Sequence, residues 1–307
     1  MLLQLAHGRE VAPNLVRFLG FDENCDELYL VKMHVSVKGF LVNLRSKRYK
    51  TEEELKSREV IVKCSARALL AGVAHLHKYG IFHRDIKADN LLLEHAPTSP
   101  AISVESIKIC DLGFSYHSET NPEAKDDLPG TLPYFAPEVL CAREERTAIV
   151  KEVCLRAIRD QIITGKEPGF KSLMSKMDVQ MHHVTALEGA HAWRKDIECM
   201  FKERLLHSQH QIVNWVSCDT WCCGIVVWEL FNCLAPHPYP GCEHKESQLI
   251  KHIRNGTPPQ VVVASTDVPC ELKETWERLV ESEFFHSVWD QTERAAGVGG
   301  LLDLLDL

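Results

Sequence analysis

The chain has 307 residues, of which 45% are hydrophobic and 25% charged, with a formal net charge of -8. That is enough apolar material to bury a sizeable core and a charged fraction that argues against disorder, while the acidic balance, without a lysine or arginine cluster, excludes an electrostatic case for nucleic acid. Twelve scattered cysteines and no secretory leader predict reduced thiols in the cytoplasm or nucleus, and no apolar run is expected to reach the length of a membrane span.

In chain order, Leu15 to Phe21 and Glu27 to Val35 read as two strands joined by a polar turn at Asp22 to Asp26. Gly39 to Tyr49 and Glu52 to Tyr79 read as helices. The second is amphipathic, with Leu55, Val60, Ala66, Leu69, Leu70, Val73 and Leu76 favouring one side, and Gly80 ends it. Leu91 to Leu93 and Ile107 to Cys110 are short apolar runs that predict strands, pinning the polar loops beside them next to each other. Asp219 follows Glu138 by 81 positions, with helix-like stretches between them at Arg146 to Ile163 and Ala190 to Leu206 and a break at Thr164 to Gly169. There is no internal repeat and no low-complexity run.

Four segments carry chemistry. Residues 81–93 read IFHRDIKADNLLL, and Asp111, Leu112 and Gly113 follow. Residues 130–138 read GTLPYFAPE, and 219–230 read DTWCCGIVVWEL. Near the end, Pro269 to Leu279 and then Arg294 suggest closing helices. In this order and at these spacings the segments resemble the eukaryotic protein kinase family, serine/threonine type, which implies an α+β fold: a helical large lobe beside a small β lobe.

Transfer of a phosphoryl group needs hard oxygen ligands for metal ions and a carboxylate that steers the attacking hydroxyl. By the resemblance, Asp85 is the catalytic base, and Asn90 and Asp111 hold magnesium. Lys87 neutralises charge on the phosphoryl group, and the hydroxyl of Thr131 bridges Asp85 and Lys87. Both Lys87 and Thr131 fit the serine/threonine class. Met33, His34 and Val35 form the adenine hinge, with Leu92 beside the base. Lys32 falls near the back of that pocket, where it either turns outward or alters the site. His83 and Gly113 are structural, Asp219 braces the catalytic-loop backbone, and Glu138 pairs with Arg294. Arg84 would pair with a phosphate on the segment after Asp111, for which Ser115, Tyr116, Ser118 and Thr120 are acceptors. Alternatively, Asp126 and Asp127 supply that charge permanently.

The implied cofactors are ATP and Mg2+, and the implied partner is a protein substrate, with no nucleic acid and no membrane. The sequence also departs from the family. The Gly-rich hairpin, strand lysine and helix glutamate that usually cradle the phosphates are not found, so a truncated small lobe with the hinge is expected at 1–35. A large lobe at 36–307 follows, interrupted by an insertion at about 141–216 that has room for a docking partner. Two functions stay open: a protein serine/threonine kinase, or a pseudokinase or truncated kinase fragment acting as a binding or scaffold module. His207, His210, Cys218 and Cys222 are spaced as zinc ligands could be, but buried packing explains the cysteines more simply.

Overall fold

The computed structural model describes residues 12–25, 27–47, 51–120, 128–164, 213–232, 239, 242, 245–259, 270–290, 293 and 296–305. They fall in two compact units, Met1–Pro137 with Asn214–Leu307, and Glu138–Val213.

The first unit is α+β. Strands β1 (Phe18–Asp22) and β2 (Glu27–Leu30) form an antiparallel ribbon, irregular between Phe18 and Gly20. Its turn is closed by Asp22, which accepts from the Asn24 amide at 2.8 Å. Leu15 is not part of this ribbon. It bridges Ile109 in parallel, and the Val16 amide donates to the Ile109 carbonyl at 2.9 Å. The first predicted strand therefore divides: its start joins the larger sheet and its end the ribbon. Asn14 fixes that junction by donating its side-chain amide to the carbonyls of Val104 and Ile107.

Strand β3 (Val35–Ser36) leads directly into helix α1 (Val37–Ser46). The helix starts two residues before the predicted Gly39 because Ser36 caps it, its hydroxyl accepting from the Gly39 amide at 3.0 Å. Helix α2 (Glu52–Lys78) opens with a capping box between Thr51 and Glu54. It closes at Gly80, whose φ of 66° suits a residue without Cβ and whose amide donates to the His77 carbonyl. The expectation that no stretch reaches spanning length needs correction, because α2 is long and apolar enough by length and composition. Its apolar residues Ile61, Val62, Leu69, Leu70, Val73 and Leu76 are all buried in the core, which accounts for that composition.

Beyond α2 come β4 (Ile81–Phe82), β5 (Leu91–Leu93), β6 (Ile107–Ile109) and β7 (Tyr116–His117). Strand β5 sits between β3 and β6, all antiparallel, and β4 pairs with β7. Each predicted run in this region forms its strand. The β5–β6 pair sets the loop before Leu91 beside the loop after Ile109, as the Cys110 amide donating to the Asn90 carbonyl at 3.0 Å shows.

Helix α3 (Pro137–Thr164), all but its first residue in the second unit, is one helix that includes the predicted stretch from Arg146. The stretch at Ala190 to Leu206 lies outside the described residues.

Returning to the first unit, α4 (Trp215–Phe231) is buried nearly end to end and capped by Asn214. It packs against α2 and against the C-terminal helices α6 (Cys270–Glu281) and α7 (Glu283–Trp289), which follow α5 (Glu246–Arg254). The last helix, α8 (Gly299–Leu304), packs on α2 and α7. Gly224 permits the α4–α7 approach, since a Cβ there would lie 2.2 Å from Val288 Cγ1. Cys222 and Cys223 are buried in α4. The Cys222 thiol donates to the Tyr134 carbonyl at 3.0 Å, a packing role, whereas His207 and His210 lie outside the described residues.

Candidate active site

The site grows from the loop between β4 and β5. Among the described residues, two non-glycine residues have positive φ, Arg84 in this loop at 66° and Asp111 after β6 at 63°. A left-handed conformation costs about 1 kcal/mol or more for a side chain with Cβ, so something has to hold it. At Arg84 the holder is Asp219 of α4. One of its carboxylate oxygens accepts from the Arg84 amide and the other from the His83 amide, both at 2.9 Å. His77 Nε2 reaches the second oxygen at 3.0 Å. Asp219 is completely buried, and these three contacts satisfy its carboxylate.

His83, itself fully buried, ties the two loops together. Its Nδ1 accepts from the Asp85 amide at 3.3 Å and its Nε2 lies 3.1 Å from the Cys110 carbonyl. That pair of contacts assigns the proton to Nε2.

Asp85 is 3% exposed. Its Oδ1 accepts from Thr131 Oγ1 at 2.7 Å, and its Oδ2 accepts a hydrogen bond from Lys87 Nζ. Lys87 also reaches Thr131 Oγ1 at 3.3 Å, closing a triangle of carboxylate, ammonium and hydroxyl. Asn90 donates its side-chain amide to the Asp85 carbonyl at 3.0 Å, which leaves its oxygen as the side chain's remaining polar atom. The sequence placed Asp85, Lys87, Asn90 and Thr131 at one site, and the structure brings these four together.

Beside them is an open cleft of about 1370 Å3, whose lining includes Val16, Phe18, Val31, Met33, Leu92 and Ile109 together with Asp111 and Gly113. Of the hinge residues, Met33 lines it. The His34 amide instead donates to the Leu93 carbonyl at 2.8 Å, and Val35 pairs with Leu93 in the sheet. Lys32 is exposed and turns outward, the first of its two expected arrangements. Asp111 is exposed and accepts from the Gly113 amide at 3.2 Å. Neighbouring Cys110 has its thiol pushed up to about 11, by burial first and by the charge of Asp111 second.

Arg294 is outside the described residues, so the expected pair of Glu138 with Arg294 lies outside them. Asp126 and Asp127 are likewise outside them.

Sequence reasoning missed several contributors. Val16, Val31 and Ile109 line the cleft but carry only an apolar signal. Trp215 and Glu229 were not singled out as site residues. A charged residue in the apolar run Cys222 to Leu230, near the end of a buried helix, was the available signal for Glu229.

The sequence pattern of the protein kinase domain matches residues 3–195. The chain belongs to the protein kinase family. Similar relatives include the MAP kinase kinase kinase mkh1 of Schizosaccharomyces pombe, 32% identical over 129 residues, which are 41% of this chain and 10% of that protein. The serine/threonine-protein kinase BCK1/SLK1/SSP31 of Saccharomyces cerevisiae is 31% identical over 156 residues, 50% of this chain and 10% of the relative. The mouse sperm motility kinase 2B is 28% identical over 157 residues, 51% of this chain and 29% of the relative. In these three relatives the matched stretch spans less than a third of the protein's length.

Proposed function

We propose that this kinase transfers the γ-phosphoryl group of ATP to a serine or threonine hydroxyl of a protein. The observation that carries the reading is the Asp85–Lys87–Thr131 triangle. Asp85 has one oxygen held by a hydroxyl and the other by an ammonium, so it is fixed in orientation, as a base that steers an incoming hydroxyl must be.

In this mechanism the acceptor hydroxyl approaches Asp85 and gives up its proton to that carboxylate as its oxygen bonds to phosphorus. The bond to the leaving ADP breaks. Lys87 stands beside Asp85 to balance negative charge on the transferring group. Thr131 keeps Asp85 and Lys87 in register. Met33 and Leu92 offer apolar surface to the base in the cleft.

Asn90 and Asp111 fit magnesium by their chemistry, since the asparagine oxygen and the Asp111 carboxylate are hard donors and such sites use one or two carboxylates plus phosphate oxygens. When bound, the ion neutralises phosphate charge and orients the phosphates. The name of the Saccharomyces cerevisiae relative supports the serine/threonine assignment, and the scattered cysteines favour the cytoplasm or nucleus.

The test is transfer of labelled phosphate by the purified chain to serine, threonine and tyrosine peptides, with Asp85→Asn beside it. Labelling of serine or threonine that is lost in the variant supports the reading, and equal labelling by both proteins overturns it.

One observation favours a second reading, a binding module without transfer. Among the described residues, the charged groups lining the cleft are Glu23 and Asp111, both acidic, so the phosphates meet no cation there. Calorimetry with Mg-ATP separates the two: absence of binding at millimolar nucleotide favours the module.

A further inference from the structure

A groove of about 770 Å3, separate from the cleft, runs between the first turns of α2 and the loop at 97–102, within the ordinary size of binding clefts. Its apolar surface comes from Val60 on the helix and from Pro97, Pro100 and Ile102 on the loop. Val60 is 43% exposed. The loop holds its own shape: the Ser99 amide donates to the Ala96 carbonyl at 2.8 Å, the Ile102 amide to the Ser99 carbonyl at 3.2 Å, and the Ala101 amide to Ser99 Oγ at 3.2 Å. With two prolines restricting φ as well, the groove is formed before anything enters it, and binding there loses little conformational freedom.

One rim of the groove is acidic. The first turn of α2 carries Glu52, Glu53 and Glu54. Glu52 is paired with Lys56 at 2.7 Å, and Glu54 accepts a hydrogen bond from Lys47. The Glu53 carboxylate makes no ion pair or hydrogen bond among the described residues, and it lines the groove, where Lys56 is already engaged by Glu52.

We propose that this groove docks a short linear segment of another protein, in which leucine-like side chains cover Val60, Ile102 and the prolines while an arginine or lysine meets Glu53. The formal net charge of -8 favours a basic partner and opposes a second copy of the same chain. Acids in a first turn also complement the helix dipole, but that role leaves the apolar surface beside Glu53 without a purpose. The groove and the cleft share no lining residue, so a docked segment leaves the cleft open.

Docking of this kind is independent of phosphoryl transfer, so its test reads binding by the full chain. The probe is a labelled peptide of alternating arginine and leucine, beside a glutamate-leucine peptide and an arginine-serine peptide of the same length. The arginine-leucine peptide should bind tightest, should slow amide exchange across 51–60 and 97–102, and should stay bound when Mg-ATP is added. Val60→Asp, which puts a carboxylate on the apolar surface, and Glu53→Lys should each weaken it by about tenfold. Both side chains are exposed, so melting temperatures should hold. Should a variant melt lower, the wild-type protection map decides. No binding at millimolar peptide, equal binding of either comparison peptide, wild-type affinity in either variant, or protection confined to the cleft would overturn the proposal. Light scattering that shows a dimer dispersed by Val60→Asp would overturn it too, by giving the groove to a second copy.

Discussion

The hydroxyl of Tyr134 donates to both carboxylate oxygens of Glu229, at 2.9 and 3.1 Å, in a site where Glu229 is 7% exposed. One hydroxyl proton serves two oxygens of a buried acid. Tyr134 lies three residues after Thr131, and its amide donates to the Thr131 carbonyl at 2.9 Å, so the pair connects the core of α4 to the triangle at Asp85.

Burial is the main reason that the Glu229 carboxyl is pushed up from 4.5 to about 7, with Tyr134 and Lys38 opposing the rise and Asp89 adding to it. A folded-state value above the unfolded one means that the native state binds the proton more tightly. The resulting stabilisation is fully present below about pH 4.5 and is lost as pH rises through about 7, a change of about 3 kcal/mol for this group. Glu229→Gln should remove that slope and make the protein more stable than wild type at about pH 8. Urea midpoints at several pH values check it, and parallel pH profiles for the two proteins would contradict it.

Asp219→Ala should be strongly destabilising. It leaves the buried amides of His83 and Arg84 without an acceptor, each costing about 1–3 kcal/mol. Asp219→Asn, which keeps one oxygen acceptor, should lose less. Chemical denaturation of the two variants gives the ranking, and equal losses would mean that the carboxylate is not what holds the loop.

Gly224→Ala places a methyl 2.2 Å from Val288 Cγ1 and 3.1 Å from the Trp289 ring. Val288 is fully buried and cannot swing aside, so α4 and α7 must separate, at a cost of about 1–3 kcal/mol. A lowered melting temperature is expected. An unchanged one would show that the helices approach less closely than 2.2 Å implies.

Thr131→Val removes the hydroxyl that touches both Asp85 and Lys87 at nearly constant volume. If the chain transfers phosphate as proposed, its rate should fall by about tenfold to a hundredfold, the range for charge-assisted hydrogen bonds. Stability should change little, and Thr131→Ser should restore most of the rate. A melting temperature that falls together with the rate, without rescue by serine, would make Thr131 structural.

Local chemistry was legible in the sequence wherever the deciding partners are close along the chain. Thr51 and Glu54 announce the start of α2 and Gly80 its end, because a cap needs only its own turn. The short β5 and β6 runs followed from apolar pattern. The grouping of Asp85, Asn90, Asp111 and Thr131 came from the order and spacing of family motifs. What escaped was direction and long-range choice: the split of Leu15 from β1, the outward turn of Lys32, and the use of the His34 amide by Leu93.

By itself, then, the sequence determined the family, the helical caps and the types of side chain present at the site. Only the tertiary structure decided which distant groups meet: Trp215 with Arg84, Asp219 with the His83 and Arg84 amides, Glu229 with Tyr134. The reason is physical. A cap or a strand period is set by dihedral angles and partners within a few residues, whereas these contacts lie 95 to 136 positions apart and exist only after α4 is buried against α2. Once water is excluded there, each polar group must find its partner among whatever the packing brings close.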